Sequence, residues 1–362
     1  MKRLHIGPCG FTKVQYLIMA VVLCLCSTFS ERTYAQTSLK QDYEYRFFPS
    51  SLFKDPTQAP VVTAIAIPED RCTDFFVGTD DRCVYKFSFD SQEVERVFVP
   101  SDSWVRAVAY SPTANEVATL SQNGQLVIWN PQTQQKMRES NERVRGSHAF
   151  AYSPNGKVIA VSSFDPIVMI FNAENLVKLR AWEAPGTSST SIQFSHYGDL
   201  LALGGRNGVV RIWDTKTGTI AKEISFTQSN GNNKRRVRTI AFSNDDSLVA
   251  IAGDSNQIDV WNLKTGQKLT TLTLPAYKLN STSVVGQGKV YSLTFCGEKN
   301  NLLVSGDTLN RVILWDVSSG NVLSEGVAHT GTVSSLQYVE HSEGPFILSG
   351  SFDASIIRWK LQ

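Results

Sequence analysis

From residue 61 onward the chain alternates short apolar runs with polar breaks, and the runs come in sets of four. The first run of each set ends in an aromatic residue or Ile: VTAIAI, VRAVAYSP, SHAFAYSP, STSIQFSH, VRTIAFSN, VYSLTFCG and VSSLQYVE. A second follows a short polar turn, as in EVATLS, KVIAVSS or SLVAIAG. A tight polar hairpin then leads to a third, such as QLVIWN or RVILWD, and another turn to a fourth, such as GTIAKEISF. Short β-rich runs bounded by Gly, Asn and Asp predict strands, here four antiparallel strands to the unit. No stretch beyond the first 35 residues carries a long helical period.

The sets repeat in register. Aligned on the aromatic that ends the third run, they place Phe87, Trp129, Phe171, Trp213, Trp261, Trp315 and Trp359 at one position, 42, 42, 42, 48, 54 and 44 residues apart. A fixed period of this length marks a chain built from repeated supersecondary units. There are seven.

The residues RIWD (Arg211 to Asp214), ILWD (Ile313 to Asp316), AYSPNGK (Ala151 to Lys157) and the closing HTGTV…ILSGSFDASIIRW give the repeat a family likeness. The chain resembles the WD-repeat (G-beta-like) seven-bladed β-propeller family over essentially all of residues 43–362. The resemblance implies an all-β propeller of four-stranded antiparallel blades at about 61–99, 104–139, 147–184, 189–226, 236–274, 289–327 and 331–362. It also implies a buried network of His, Ser, Asp and Trp, which one blade matches in full with His329, Ser349, Asp353 and Trp359. In the other six blades the Asp position reads Asp81, Asn123, Asp165, Asn207, Ser255 and Leu309, so the network is eroded. These residues are expected to be scaffold rather than catalytic.

The seventh unit stops after its third run, which leaves an open sheet edge, and such edges template aggregation. The alternating segment YEYRFF (Tyr43 to Phe48) has no partner of its own and is expected to supply the missing strand.

Lys2, Arg3 and Lys13, the apolar run from Val14 to Ser30, and the small residues Thr33 and Ala35 read as a secretory signal over residues 1–35. The alternative is an uncleaved membrane anchor. Either way the protein is expected to act in the cell envelope, secreted or periplasmic. Without residues 1–35 the chain holds 31 basic and 32 acidic residues, a net charge of −1, so nucleic acid is not an expected partner. Cys72, Cys83 and Cys296 remain, an odd number at irregular spacing, which is no disulfide framework and no zinc motif. In a secretory pathway that glycosylates, Asn280 in NST would be an acceptor.

Function on a propeller must be argued from sites. The register puts Val61, Trp104, Gly146, Ser188, Arg236, Lys289 and Thr332 just before the first strands. It puts Asp80, Gln122, Phe164, Arg206, Asp254, Thr308 and Phe352 at the tips of the hairpins between second and third strands. By the family likeness both sets ring one face, the top. The extra residues, 227–238 and 275–289, enter the fifth and sixth blades on that face. Large aromatics where polar residues suffice are interface anchors. Trp104, Phe164 and Phe352, with Arg206, Arg235, Arg236 and Lys289, are therefore the expected partner-binding residues. No HExxH, GxSxG, phosphate loop or calcium loop occurs, so no catalytic residue, metal or cofactor is expected. The centre of the ring is expected to carry small or singly charged residues. The reading is a monomeric, non-enzymatic scaffold for a protein or peptide. Its alternative is an envelope enzyme, or a carbohydrate- or small-molecule-binding propeller, working through the central funnel.

Overall fold

The computed structural model describes residues 37–47, 57, 59–68, 73–91, 93–184, 188–226, 235–280, 283–285, 288–297, 300–341 and 344–362. The leader expected over residues 1–35 lies outside them, as do Cys72, Phe48, residues 227–234 of the first insertion and Ser281–Thr282 of the glycosylation sequon.

Among the described residues, the strands form seven four-stranded antiparallel sheets and one two-stranded hairpin. Six sheets are consecutive in sequence, at 62–98, 105–139, 147–183, 189–225, 237–273 and 290–327. The seventh joins Val333–Val339, Phe346–Ser351 and Ser355–Leu361 to Leu39–Arg46 from the other end of the chain. The first strand of each sheet packs on the first strand of the next, and Val333–Val339 packs on Val62–Ala66, so the seven blades close into a ring.

Burial follows the strand order. Second strands such as Val117–Ser121 and Phe346–Ser351 are buried on both faces, because a neighbouring blade covers each. Fourth strands such as Lys178–Glu183 are largely exposed and polar, because only one side meets protein. Packing between blades is tight enough to require glycine at one seam. A Cβ on Gly350 would stand 2.6 Å from Val62 Cγ1 and 2.9 Å from Ile65 Cδ1. No side chain fits there without displacing the first blade.

The closing strand Leu39–Arg46 pairs with Ser355–Leu361 from Leu39↔Leu361 to Arg46↔Ser355. It starts four residues before the segment whose alternation marks it. The reason is Asp42, which sits in a bulge between Gln41 and Tyr43 and breaks the alternation. The bulge turns its carboxylate to Arg358 (2.6 Å) and Lys360 (3.2 Å). Tyr45 and Phe47 are fully buried among Phe75, Tyr85, Phe87 and Phe89 of the first blade. Tyr45 Oη also donates to Phe89 O at 3.1 Å. One strand therefore completes the last blade and grips the first.

In the seventh blade His329 Nε2 lies 2.7 Å from Ser349 Oγ, and Trp359 Nε1 donates to the same oxygen at 2.8 Å. His329 Nδ1 meets Ser355 Oγ at 2.7 Å, and Asp353 accepts from Ser355 N, Ser355 Oγ and Thr330 N. Ser355 is thus a fifth member beside the four named from sequence. Where the pattern is eroded the network is too: Ile251 stands at the Ser position of the fifth blade, and the buried Trp261 Nε1 has no partner. In the sixth blade Leu309 stands at the Asp position, and a buried pair, Arg311 with Asp307 at 2.7 Å, takes the place of the His–Asp contact. Arg311 Nη1 also holds Pro275 O at 3.0 Å, where the second insertion begins. That insertion forms the two-stranded hairpin Tyr277–Asn280 with Ser283–Val285. Cys83 and Cys296 are buried free thiols, and burial pushes Cys296 up to about 12.

Candidate functional site

The two sets of top-face residues meet blade by blade. The backbone N–H of each hairpin-tip residue donates to the carbonyl of the residue before that blade's first strand: Asp80 to Val61, Gln122 to Trp104, Phe164 to Gly146, Arg206 to Ser188, Asp254 to Arg236, Thr308 to Lys289 and Phe352 to Thr332. A rim of seven such contacts surrounds one end of the ring.

Just inside the rim, every first strand carries a β-bulge. Pairing with the second strand skips one residue per blade, between Val62 and Ala64, Val105 and Ala107, Ser147 and Ala149, Ser189 and Ser191, Val237 and Thr239, Val290 and Ser292, and Val333 and Ser335. An extra residue in one strand is left out of the ladder and re-aimed. The seven skipped residues, Thr63, Arg106, His148, Thr190, Arg238, Tyr291 and Ser334, all line one cavity of about 360 Å³, together with Arg236 and Phe352 from the rim.

The seven divide by chemistry. Thr63 Oγ1 is within hydrogen-bond reach of Gly78 O in its own blade (2.8 Å) and Val105 O in the next (2.7 Å). Thr190 reaches Gly204 O and Val237 O in the same way, and Ser334 reaches Gly350 O and Val62 O. These hydroxyls tie blade to blade. The larger four turn to the cavity and the rim. The Arg106 guanidinium lies 5.1 Å from the Trp104 ring and has no ion-pair partner among the described residues. Arg238 lies 4.1 Å over Tyr291, whose ring meets Phe352 edge-on at 6.0 Å. His148 meets Phe164 edge-on at 5.4 Å, and Arg206 covers Phe164 at 5.0 Å.

Four guanidiniums, from Arg106, Arg206, Arg236 and Arg238, thus gather at the mouth. Among the described residues one carboxylate answers them: Asp254, 2.5 Å from Arg238 Nε and 3.9 Å from Arg236 Nε. The electrostatics record the imbalance. His148 is pushed down to about 4, first by burial and then by the charges of Arg106, Arg236 and Arg206, so it is neutral at pH 7. Arg236 is lowered by burial and then by Arg206 and Arg238, and Arg106 by burial. A low-dielectric cleft lined by one sign of charge concentrates counter-ions.

Of the residues expected to bind a partner, Trp104, Phe164 and Phe352 stand 46%, 45% and 43% exposed around this mouth. Arg206 joins them through Phe164, and Arg236 lines the cavity itself. Arg235 and Lys289 do not line it. Arg235 turns to Asp254 O at 3.4 Å, and Lys289 is an exposed side chain outside the lining. The centre carries small residues (Thr63, Thr190, Ser334) and singly charged ones (Arg106, Arg236, Arg238), the types expected there, and adds His148 and Tyr291, which sequence alone does not place in it. The signal was present in V-x-[AST] at the head of five of the seven first runs and S-x-[AS] at the other two, where x is the bulge residue. Simple alternation hides it, because a bulge shifts the side-chain parity by one. Among the described residues no group of three or more His, Cys, Asp or Glu is placed to hold a metal ion.

The WD domain, G-beta repeat, matches the chain at residues 92–130, 177–214, 224–262 and 320–360. No match was found among curated proteins. Four WD repeats and a seven-bladed ring of four-stranded sheets support the WD-repeat propeller family, whose domains generally bind proteins or peptides.

Proposed function

We propose that this WD-repeat propeller is a non-enzymatic scaffold, acting as a single ring outside the cytoplasm, that holds a protein or peptide across its top face. One observation carries the reading. Three large aromatics, Trp104, Phe164 and Phe352, stand exposed on a rim that folding would equally allow to be polar, and the first two carry stacked arginines. Rigid aromatic surfaces paired with guanidiniums are the residue types that concentrate binding energy at interfaces. The ring supplies rigidity, and the hairpin tips supply the contacts. The extracytoplasmic part of the proposal rests on the N-terminal segment alone.

The test is selection of binders from a displayed peptide library on the ring from Gln36 onward, compared with a Trp104→Ser, Phe164→Ser, Phe352→Ser variant of unchanged melting temperature. Binders lost by the variant support the top-face scaffold. Binders retained by it place recognition elsewhere and overturn the reading. For the location, cell fractionation with N-terminal sequencing should find a chain beginning at Gln36 in the envelope or medium. Recovery in the cytoplasm with Met1 intact contradicts that part.

A further inference from the structure

The charge of the central cavity goes beyond what aromatic anchoring needs. We propose that the funnel is a phosphate-monoester site, in which Arg106 on one side and Arg236 and Arg238 on the other clasp a dianionic group presented by a top-face ligand. This rests on the top-face reading and names the chemistry of its central contact.

Three observations point to a dianion rather than a lone carboxylate. First, the cations outnumber their acids: among the described residues Arg106 and Arg206 have stacking partners but no carboxylate, while Arg236 and Arg238 share Asp254. Gathering like charges is unfavourable unless a ligand or a structural partner offsets it. Here no carboxylate among the described residues does so for Arg106. Second, the guanidiniums come from separate blades, Arg106 from the second and Arg236 and Arg238 from the fifth. A planar carboxylate is satisfied by one bidentate arginine, whereas a tetrahedral phosphate offers oxygens in several directions at once. Third, the imidazole of His148, which also lines the cavity, is kept neutral and can donate one N–H without adding to the repulsion. At about 360 Å³ the cavity has room for the group and the side chain that carries it.

The bulges explain why these arginines are free to do this. A bulge residue has no place in the sheet ladder, so its side chain is not committed to packing between blades. Thr63, Thr190 and Ser334 use the same position to tie blades together, and the fold holds with only three such ties.

The phosphate could be free or carried on a peptide side chain, and the experiment separates the two. Isothermal titration of the ring at constant ionic strength would compare inorganic phosphate, acetate, a degenerate peptide library bearing a central phosphoserine, and the same library bearing Glu. Saturable phosphate binding that exceeds acetate binding, and that falls about tenfold or more in Arg106→Gln and in Arg236→Gln, is the expected result. Lys264→Gln, on an exposed turn, serves as the control and should bind like wild type. Tighter binding of the phosphoserine library than of phosphate alone identifies a peptide as the carrier. Equal binding identifies a free phosphate compound. Absence of saturable phosphate binding by the folded wild-type ring overturns the proposal, as does undiminished binding in both arginine variants at unchanged melting temperature. The outcomes keep the two readings apart. Peptides lost with the aromatic triple variant, but no phosphate binding, would leave the scaffold standing and remove the phosphate site. Phosphate binding without any selected peptide would do the reverse.

Discussion

The same position in the first strand does opposite work on two arcs of the ring. Where the seventh blade meets the first, the bulge residues are Ser334 and Thr63, and both hydroxyls reach the backbone of the following blade. That seam also holds the closing strand and the tight approach of Gly350 to Val62, beside the complete His329–Ser349–Trp359 network. Across the second, third and fifth blades the bulge residues are Arg106, His148 and Arg238, which meet aromatic rings and one another's charge. A repeat lets one arc be built for closure and another for binding, because each blade needs only its neighbours to stay folded.

The comparison breaks most visibly at the closing strand. Deleting residues 39–46 removes a whole edge and unseats Tyr45 from the first blade. The melting midpoint should fall by more than about 10 °C, or the protein should aggregate. An unchanged melting curve would show that the seam does not depend on this strand. Gly350→Ala is the next most damaging. Its Cβ meets Val62 and Ile65, and overpacking of this kind costs about 1–3 kcal/mol, read by denaturant melts, while anion binding at the funnel should be untouched.

The binding arc should answer to pH instead. His148 titrates near 6.5 when unfolded and about 4 when folded, so between those values the unfolded chain binds more protons. Stability should therefore decline by on the order of 2 kcal/mol as the pH falls from about 6.5 to about 4. His148→Gln should flatten that slope in pH-dependent denaturant melts, and an unaltered slope would place the titrating group elsewhere. Asp353 belongs to the other arc and a lower window. Burial raises it, but hydrogen bonds from His329, Ser355 and Thr330 outweigh burial and hold it below its usual 3.8. Its contribution is present above that value and is lost only as the pH drops further. The smallest effect is expected at Ala354, a non-glycine residue at φ 64° in the seventh-blade hairpin. Ala354→Gly relieves that conformation and should stabilise by about 0.5–1 kcal/mol in the same melts.

The fold was legible because seven copies of one grammar leave little freedom. The aligned aromatics set the period, and YEYRFF lacked a partner within its own unit. The rim was legible for the same reason, since counting from Trp129 or Trp359 lands on tips and entry residues that the backbone bonds join. The centre was not. Arg106 follows Val105 in a strand where alternation would turn it away from its neighbours, and only the bulge brings it to the channel with His148, Arg238 and Tyr291. Partnerships set by charge were equally hidden: Asp254 and Arg238 are sixteen positions apart and become neighbours only through pairing of the first and second strands.

The most direct test of this division measures two variants of one bulge position side by side, Arg106→Gln and Thr63→Val, each for melting temperature and for phosphate affinity. The account predicts that Arg106→Gln loses phosphate affinity and keeps the wild-type melting temperature. Thr63→Val should lose about 1 kcal/mol of stability and keep the affinity. If Arg106→Gln instead destabilises the ring and binds phosphate as before, the funnel arginines are scaffold and the binding arc does not exist.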